Sequence, residues 1–223
     1  MISSLNRFAT FSMADTAPFH TKDGIGGEVR VHPLFAERAD FGEGTHTGLV
    51  LSGRAILSWG GEHYPLREGM YFCAPGSMVL TCQESSKALV ISKADAVGLF
   101  QIGGPIEAHG RLRYIDGCTD SLVLSPPRLG DPCLNHLHIP AGTQQSAHVH
   151  PSVRVGAIVR GSGICRGEEG EFPLEAGLGW VIPAGYRHSF HTTDHSLDVL
   201  AWHPDSDFGP TDEDHPMINR TVL

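Results

Sequence analysis

The sequence has little positive charge. It contains 16 lysine and arginine residues against 25 aspartate and glutamate residues, so its formal net charge at pH 7 is −9. Nucleic acids and anionic membrane surfaces bind clusters of lysine and arginine, and this balance therefore argues against both as partners. The sequence also lacks any apolar run near the roughly 20 residues that cross a bilayer. Its first twenty residues have no sustained apolar stretch, which predicts that no secretory signal is present.

Cysteines with the spacing of a metal or redox motif are also absent. The five cysteines are widely spaced, and no two of them form a C-x-x-C pair. An odd number of cysteines without a secretory signal predicts free thiols in a reducing compartment. We therefore predict a cytoplasmic protein and exclude a zinc site built from thiolates.

What the sequence does have is turn-forming residues and short β-prone runs. Glycine occurs 27 times and proline 15 times, and runs such as THTGLVLSG, KALVIS, VRVGAIVRG and LDVLAWHP lie between turn residues. Many short strands at this spacing predict an all-β antiparallel barrel or jelly roll. Only residues 93–101 have a weak helical pattern.

An internal repeat divides the chain. Residues 53–77 align without gaps to residues 161–185, so that Phe72 meets Trp180. Identical residues at aligned positions are Gly53 and Gly161, Ile56 and Ile164, Pro65 and Pro173, Leu66 and Leu174, Gly69 and Gly177, and Pro75 and Pro183. The alignment predicts two copies of one β-rich unit.

The second unit resembles the cupin superfamily in the spacing of two motifs. In the first motif, Gly142 is followed after five residues by His148-x-His150, and Arg154 and Gly161 come next at the family spacing. The family has a glutamate at the position of Arg154. Several fixed spacings hold together here, which makes the resemblance specific.

The second motif continues the resemblance. Gly177 leads after five residues to Pro183-x-Gly185, and His188 and Thr192 follow at the family spacing. Thr192 stands where the family has an asparagine. The resemblance covers residues 134–203 directly and extends to the first unit through the repeat.

The resemblance implies two tandem cupin jelly-roll barrels, that is, a bicupin. We predict an unstructured start over residues 1–22, a degenerate N-terminal barrel over 23–102 and a linker over 103–120. The C-terminal barrel covers 121–205, and the tail covers 206–223. A homodimer is the usual assembly of the family and is expected here.

The first unit has the frame of the repeat without its metal-binding residues. The alignment places Asp40, Gly42, His46 and Leu80 at the positions of His148, His150, Arg154 and His188. Leucine offers no ligand atom, so we predict that the degenerate barrel serves packing or assembly.

His148, His150 and His188 are the predicted metal ligands. Alternation along a strand puts His148 and His150 on one face, and in the cupin fold His188 converges on them. Three neutral imidazoles leave open positions on a metal and suit Fe, Zn, Ni, Cu or Mn better than Mg or Ca. The sequence does not choose among these divalent transition metals.

Alternation along the strand predicts that Arg154 faces the same side as His148 and His150. Its role has two interpretations. It either binds an anionic group of a substrate beside a metal held by three histidines, or it has destroyed the metal site. Phe190 and Thr192 share the parity of His188 and are predicted to line the pocket. His136 and His138 share one face of their strand. The sequence does not show whether that face lines the interior of the barrel, lies on the surface or faces the other barrel.

The predicted function is a metal-dependent enzyme that acts on a small anionic substrate with a carboxylate or enolate group. Dioxygenase and isomerase or lyase chemistry both stay open, because the fold hosts many reactions. The rival interpretation is a non-catalytic cupin that binds or senses a small molecule.

Overall fold

Twenty short β-strands build the protein in the computed structural model, which describes residues 3–215 and 217–222. The prediction of an all-β fold is confirmed, since the helices in these ranges are two single 3₁₀ turns, Ile115–Gly117 and Ile218–Arg220. In the first half the strands are β1 (Ser3–Ser4), β2 (Ala9–Ser12), β3 (Phe19–Lys22), β4 (Glu28–Phe35), β5 (Arg38–Phe41), β6 (Thr45–Ser52), β7 (Arg54–Trp59), β8 (Glu62–Arg67), β9 (Tyr71–Pro75), β10 (Met78–Cys82), β11 (Lys87–Lys93) and β12 (Gln101–Gly103). In the second half they are β13 (Leu112–Arg113), β14 (Thr119–Leu124), β15 (Cys133–Ile139), β16 (Arg154–Gly167), β17 (Gly170–Glu175), β18 (Leu178–Ile182), β19 (His188–His191) and β20 (Leu197–His203).

The first half folds into two sheets that pack face to face. A seven-stranded sheet has the order β1-β3-β4-β11-β6-β9-β12, and a four-stranded sheet has the order β5-β10-β7-β8. Their inner faces share one hydrophobic core that includes Leu57, Phe72 and Leu80, none of which has an exposed side chain. Apolar side chains therefore pack between these two sheets.

The second half is organised around the long strand β16. A nine-stranded sheet has the order β13-β14-β15-β20-β16-β18-β2, with β17 and β19 paired to β16 beside this path. Residues of its inner face pack against β17 and β19 in a second core that includes Ile158, Leu174 and Trp180. A third core joins the outer face of this sheet to the outer face of the seven-stranded sheet.

The two copies of the sequence repeat pair their strands in the same register. Ile56 lies opposite Pro65 in the first half, and Ile164 lies opposite Pro173 in the second. Cross-strand register fixes which side chains share a face. The two halves therefore present aligned residues to equivalent faces.

Three segments differ from the sequence predictions. Within residues 1–22, Ala9–Ser12 form β2 and pair with β18, because Gly179 leaves room for the ring of Phe11. Residues 103–120 were predicted as a linker but include β13 and the start of β14. Residues 93–101 were predicted as weakly helical but carry no helix, and Phe100 instead stacks on Trp59 with ring centroids 4.0 Å apart.

The five cysteines are buried and unpaired. In the described ranges we find no helix with the length and apolarity required to cross a membrane.

Candidate metal centre

A cavity of about 350 Å³ opens inside the second half of the chain. His148, His150, Arg154, His188 and Phe190 all line it. Five of the six predicted site residues therefore lie around one space.

The three predicted ligands are brought together by backbone pairing and by the loop between them. The backbone N–H of His148 donates to the His188 carbonyl at 2.9 Å, and the return bond from His188 measures 3.0 Å. The ligand atoms of His148, His150 and His188 all lie within 4.8 Å of one another. Their ring centroids are 4.6–5.1 Å apart. This is the convergence that the motif spacing predicts.

Two of the imidazoles are oriented by backbone carbonyls. Nδ1–H of His148 donates to the Ser146 carbonyl at 2.9 Å, and Nδ1–H of His188 donates to the Tyr186 carbonyl at 3.0 Å. A carbonyl only accepts, so the Nε2 atom of each ring keeps its lone pair. Metal-binding histidines are commonly fixed in this way.

The surroundings of His188 Nε2 test whether a metal ion fits between the three histidines. His188 is 1% exposed, and its Nε2 atom has no hydrogen-bond partner. A buried polar atom without a partner is costly. A divalent transition metal would satisfy this lone pair together with the other two imidazoles, so the donor set fits such an ion.

Burial keeps two of these ligands, His150 and His188, neutral. Burial lowers the pKa of His150 to about 2, and the positive charge of Arg154 adds to the effect. Burial also lowers the pKa of His188 to about 4. Metals bind the unprotonated ring, so both side chains are in the binding form at neutral pH.

Arg154 begins β16 and lies beside the histidines. Its Nη1 donates to the Ser152 hydroxyl at 2.5 Å and to the carbonyls of Ser152 and Val153 at 3.2 Å. A carboxylate oxygen of Asp205 lies 3.9 Å from Nη1. Within the described residues, every hydrogen bond of the guanidinium is made by Nη1. Nε and Nη2 make no hydrogen bond to the described residues, and Arg154 lines the cavity.

Phe190 lines the cavity as predicted, whereas Thr192 does not. The Thr192 hydroxyl donates to the Pro140 carbonyl at 2.5 Å and accepts from the Thr143 backbone N–H at 3.0 Å. Strand β19 ends at His191, so strand parity no longer applies to Thr192. Its hydroxyl fixes a loop instead of facing a substrate.

The counterpart residues in the first half are arranged differently. Nδ1 of His46 accepts from the Ser92 hydroxyl at 2.8 Å, and Nε2–H donates to the Gly42 carbonyl at 2.9 Å. Both ring nitrogens are therefore engaged. Leu80 belongs to the apolar core of that half.

Sequence reasoning missed a polar chain on the wall of the cavity. His203 Nε2–H donates to Asn135 Oδ1 at 2.9 Å, and Asn135 Nδ2 donates to Asp120 Oδ1 at 2.6 Å. All three residues line the cavity. Asn135 and His203 lie on β15 and β20, and the available signal was a polar residue on the same strand face as Leu137 and Val199.

Tyr114 was missed because it lies in the segment predicted as a linker. It lines the cavity together with Leu112 and Arg113. Asp116 ties this segment to the metal motif, since its carboxylate accepts from the Ser146 backbone N–H at 2.6 Å. The Ser146 carbonyl in turn holds His148, so the segment and the first ligand share one residue.

His136 and His138 lie on the opposite face of β15 from the cavity. Oδ1 of buried Asp198 is 2.7 Å from His136 Nε2 and 3.0 Å from His138 Nδ1. Arg160 approaches the same oxygen at 3.3 Å. These histidines therefore belong to a buried polar cluster in the structure and not to the candidate metal site.

Comparison with known proteins agrees with the fold. Residues 135–203 match the family model described as the cupin domain. No curated protein sequence matches the chain.

Several solved structures share the fold at low identity. Salicylate 1,2-dioxygenase from Pseudoaminobacter salicylatoxidans is 13% identical with a TM-score of 0.55, over 79% of this chain and 70% of its own. Oxalate decarboxylase from Bacillus subtilis is 12% identical with a TM-score of 0.53, over 94% and 79%. An 11S globulin from Wrightia tinctoria with an auxin binding site is 10% identical with a TM-score of 0.58, over 91% and 84%. Residues 135–203 therefore match the cupin domain, and the chain as a whole shares the fold of these solved structures.

Proposed function

We propose that the protein is a metal-dependent enzyme acting on a small anionic substrate that carries a carboxylate or enolate. The observation that carries the proposal is the convergence of His148, His150 and His188, with Nε2 of His188 buried and without a partner. Arg154 beside them supplies a fixed positive charge. The site thus combines a metal-binding donor set with an anion-binding group.

The architecture in this proposal is two tandem barrels, with the metal in the C-terminal one. The matching registers of the repeat support it, and so does the different chemistry of the two lumens. In the first half Leu80 is part of an apolar core and His46 uses both ring nitrogens. The first barrel then serves packing, and the second serves chemistry.

One divalent transition metal, Fe, Zn, Ni, Cu or Mn, would be held by the three histidines. Such an ion, when bound, supplies Lewis acidity or redox chemistry. Around it, Arg154 binds and orients the anionic group of the substrate through Nε and Nη2. Phe190 and Ile182 give the cavity apolar walls that exclude water from that contact.

Two reaction classes are compatible with this site: oxygenative cleavage, and isomerase or lyase chemistry. The names of two of the similar structures contain salicylate and oxalate, and both compounds are small carboxylates. Non-catalytic ligand binding is the second candidate, favoured by the auxin binding site of the similar globulin. We also propose a cytoplasmic location, in keeping with buried free thiols. The proposed assembly is a homodimer, as is usual in the cupin superfamily.

Metal analysis of purified wild type and of His188→Ala tests the proposal. We expect one metal ion per wild-type chain and a loss of at least tenfold in metal affinity for the variant. His195→Ala, which removes an exposed histidine, is the matched control and should keep the metal. Equal metal content in wild type and His188→Ala would refute the site.

Turnover then separates an enzyme from a binding protein. Oxygen uptake and product formation are measured with salicylate, oxalate, pyruvate and acetylacetone on the metal-loaded protein. Turnover that is lost in His188→Ala supports the enzyme. Tight binding of these compounds without turnover supports the non-catalytic alternative.

A further inference from the structure

Asp120 places a carboxylate in the wall of the cavity that contains the histidine triad. It lies on β14 opposite Leu112 on β13 and opposite Leu137 on β15, and Leu137 lies opposite Val199 on β20. Side chains directly opposite each other in a sheet share a face. All four residues line the cavity, so the Asp120 side chain lies on the face of the sheet that the cavity occupies.

The two oxygens of this carboxylate have different surroundings. Oδ1 accepts from Asn135 Nδ2 at 2.6 Å, whereas Oδ2 has no hydrogen-bond partner among the described residues. Oδ2 is also not one of their buried side-chain atoms without a partner, which are Thr21 Oγ1, His32 Nε2, Trp180 Nε1 and His188 Nε2. Oδ2 is therefore an accessible atom on a half-buried side chain that lines the cavity.

The hydrogen bonds behind Asp120 present a donor to its Oδ1 atom. His203 Nε2–H donates to Asn135 Oδ1 at 2.9 Å, which leaves the amide nitrogen of Asn135 to donate to Asp120. Burial raises the pKa of Asp120, and the hydrogen bond from Asn135 opposes the rise because it favours the charged form. In the described part of the chain Asp120 forms no ion pair. The protein thus orients one oxygen and offers no partner to the other.

The positive charge of Arg154 borders the same cavity. Burial raises the pKa of Tyr114, the negative charge of Asp120 adds to the rise, and the positive charge of Arg154 opposes it. Both charges therefore act on one phenol, and the cavity around them is only about 350 Å³ in volume. A small ligand in this space meets an anion-binding group and a hydrogen-bond acceptor.

We infer that Asp120 Oδ2 accepts a hydrogen bond from a hydroxyl group of the ligand, while Arg154 binds the carboxylate of the same molecule. The ligand class is then a small hydroxycarboxylic acid. This inference rests on the proposed function and narrows its substrate class. A carboxylate oxygen only accepts, so a hydroxyl suits it and an ether does not. An ammonium group also donates, but the positive charge of Arg154 in the same cavity repels it.

Matched acids test this on the full-length, zinc-loaded protein by calorimetric titration. The pairs are 3-hydroxypropanoate against 3-methoxypropanoate and 4-hydroxybutanoate against 4-methoxybutanoate, since a methyl ether keeps the oxygen and loses the donor. A hydrogen bond to a charged group predicts a preference of about tenfold for at least one hydroxy acid. We also expect 4-aminobutanoate to bind more weakly than 4-hydroxybutanoate. These comparisons need no variant.

Asp120→Asn should remove the preference. Asn135 Nδ2 still needs an acceptor, so the new amide oxygen faces Asn135 and the new amide nitrogen, a donor, replaces Oδ2. Zinc content should not change, and the affinity for the methoxy acids should not fall, because a negative charge is lost from the cavity. Asp194→Asn is the matched control. It removes the same charge from an exposed side chain outside the cavity and should keep the preference.

Equal binding of the hydroxy and methoxy acids by the wild type, or a preference that persists in Asp120→Asn, would overturn the inference alone. Tighter binding of 4-aminobutanoate than of 4-hydroxybutanoate would overturn the hydroxyl assignment. If no acid of the set binds the zinc-loaded wild type, the anion site of the proposed function fails with it.

Discussion

Replacing Arg154 with glutamine separates its two interpretations, anion binding and support of the histidines. Glutamine keeps part of the bulk and a polar amide but carries no charge. The change therefore removes the positive charge from the cavity without introducing an apolar side chain there. The metal should be retained, because no ligand atom is lost and a repulsion is relieved.

The size of the effect follows from the contacts of the guanidinium. A hydrogen bond to a charged group contributes about 1.5–3 kcal/mol, and a bidentate contact is among the stronger ones. Asp205 lies 3.9 Å from Nη1 and already balances part of the positive charge. We therefore expect the lower end, a roughly tenfold loss of affinity for a small carboxylate such as salicylate or oxalate.

The assay is calorimetric titration of the metal-loaded variants, with metal content measured on the same samples. Arg113→Gln is the matched control, because Arg113 lines the mouth of the same cavity but is exposed to solvent. Solvent screens its charge, and the affinity should change less than twofold. Arg154→Glu should keep the metal and weaken the anion further. Loss of the metal in Arg154→Gln, or equal effects of Arg154→Gln and Arg113→Gln, would refute anion binding by Arg154.

Two further predictions concern the first half of the chain. His46→Ala should leave the metal content of the protein at the wild-type level, because both ring nitrogens of His46 already have protein partners; a drop to about half would reveal a second metal site. Burial lowers the pKa of His32 to about 3, and the charges of Arg30, His46 and His20 lower it further. Since the unfolded chain takes up this proton near pH 6.5 and the folded chain does not, the free energy of unfolding should fall as the pH decreases from 6.5 towards 3, by up to about 1.4 kcal/mol per pH unit. Urea denaturation at pH 7, 6 and 5 should show a flatter decline for His32→Asn, and an unchanged slope would contradict the assignment.

The candidate ligands could be predicted because they depend on local rules. Motif spacing places His148, His150 and His188 together without knowledge of the rest of the chain. The predicted alternation does not, because His148 is an isolated bridge, His150 lies outside any strand, and β16 begins only at Arg154. The prediction that Thr192 lines the cavity was wrong because β19 ends one residue before it. The ends of strands are the least certain features of a sequence prediction.

The rest of the cavity wall depends on contacts between distant segments. Tyr114 reaches the site because β13 pairs with β14 and β14 pairs with β15, and no local pattern encodes that order. Asp116 joins this segment to Ser146 through a single carboxylate. Strand β2 also escaped prediction, although Phe11 and Met13 alternate with polar residues there and both are buried.

The pairing of β2 with β18 sets an order for the maturation of the protein during synthesis. Ala9–Ser12 are synthesised well before their partner strand Leu178–Ile182. Until then, the sheet around the histidines lacks the pairing of β2 with β18 at its edge. Residues near Val153 also wait for the first half, because the Val153 backbone N–H donates to the Asp23 carbonyl at 2.9 Å. The sheet around the histidines is thus complete only when segments from both halves of the chain are in place.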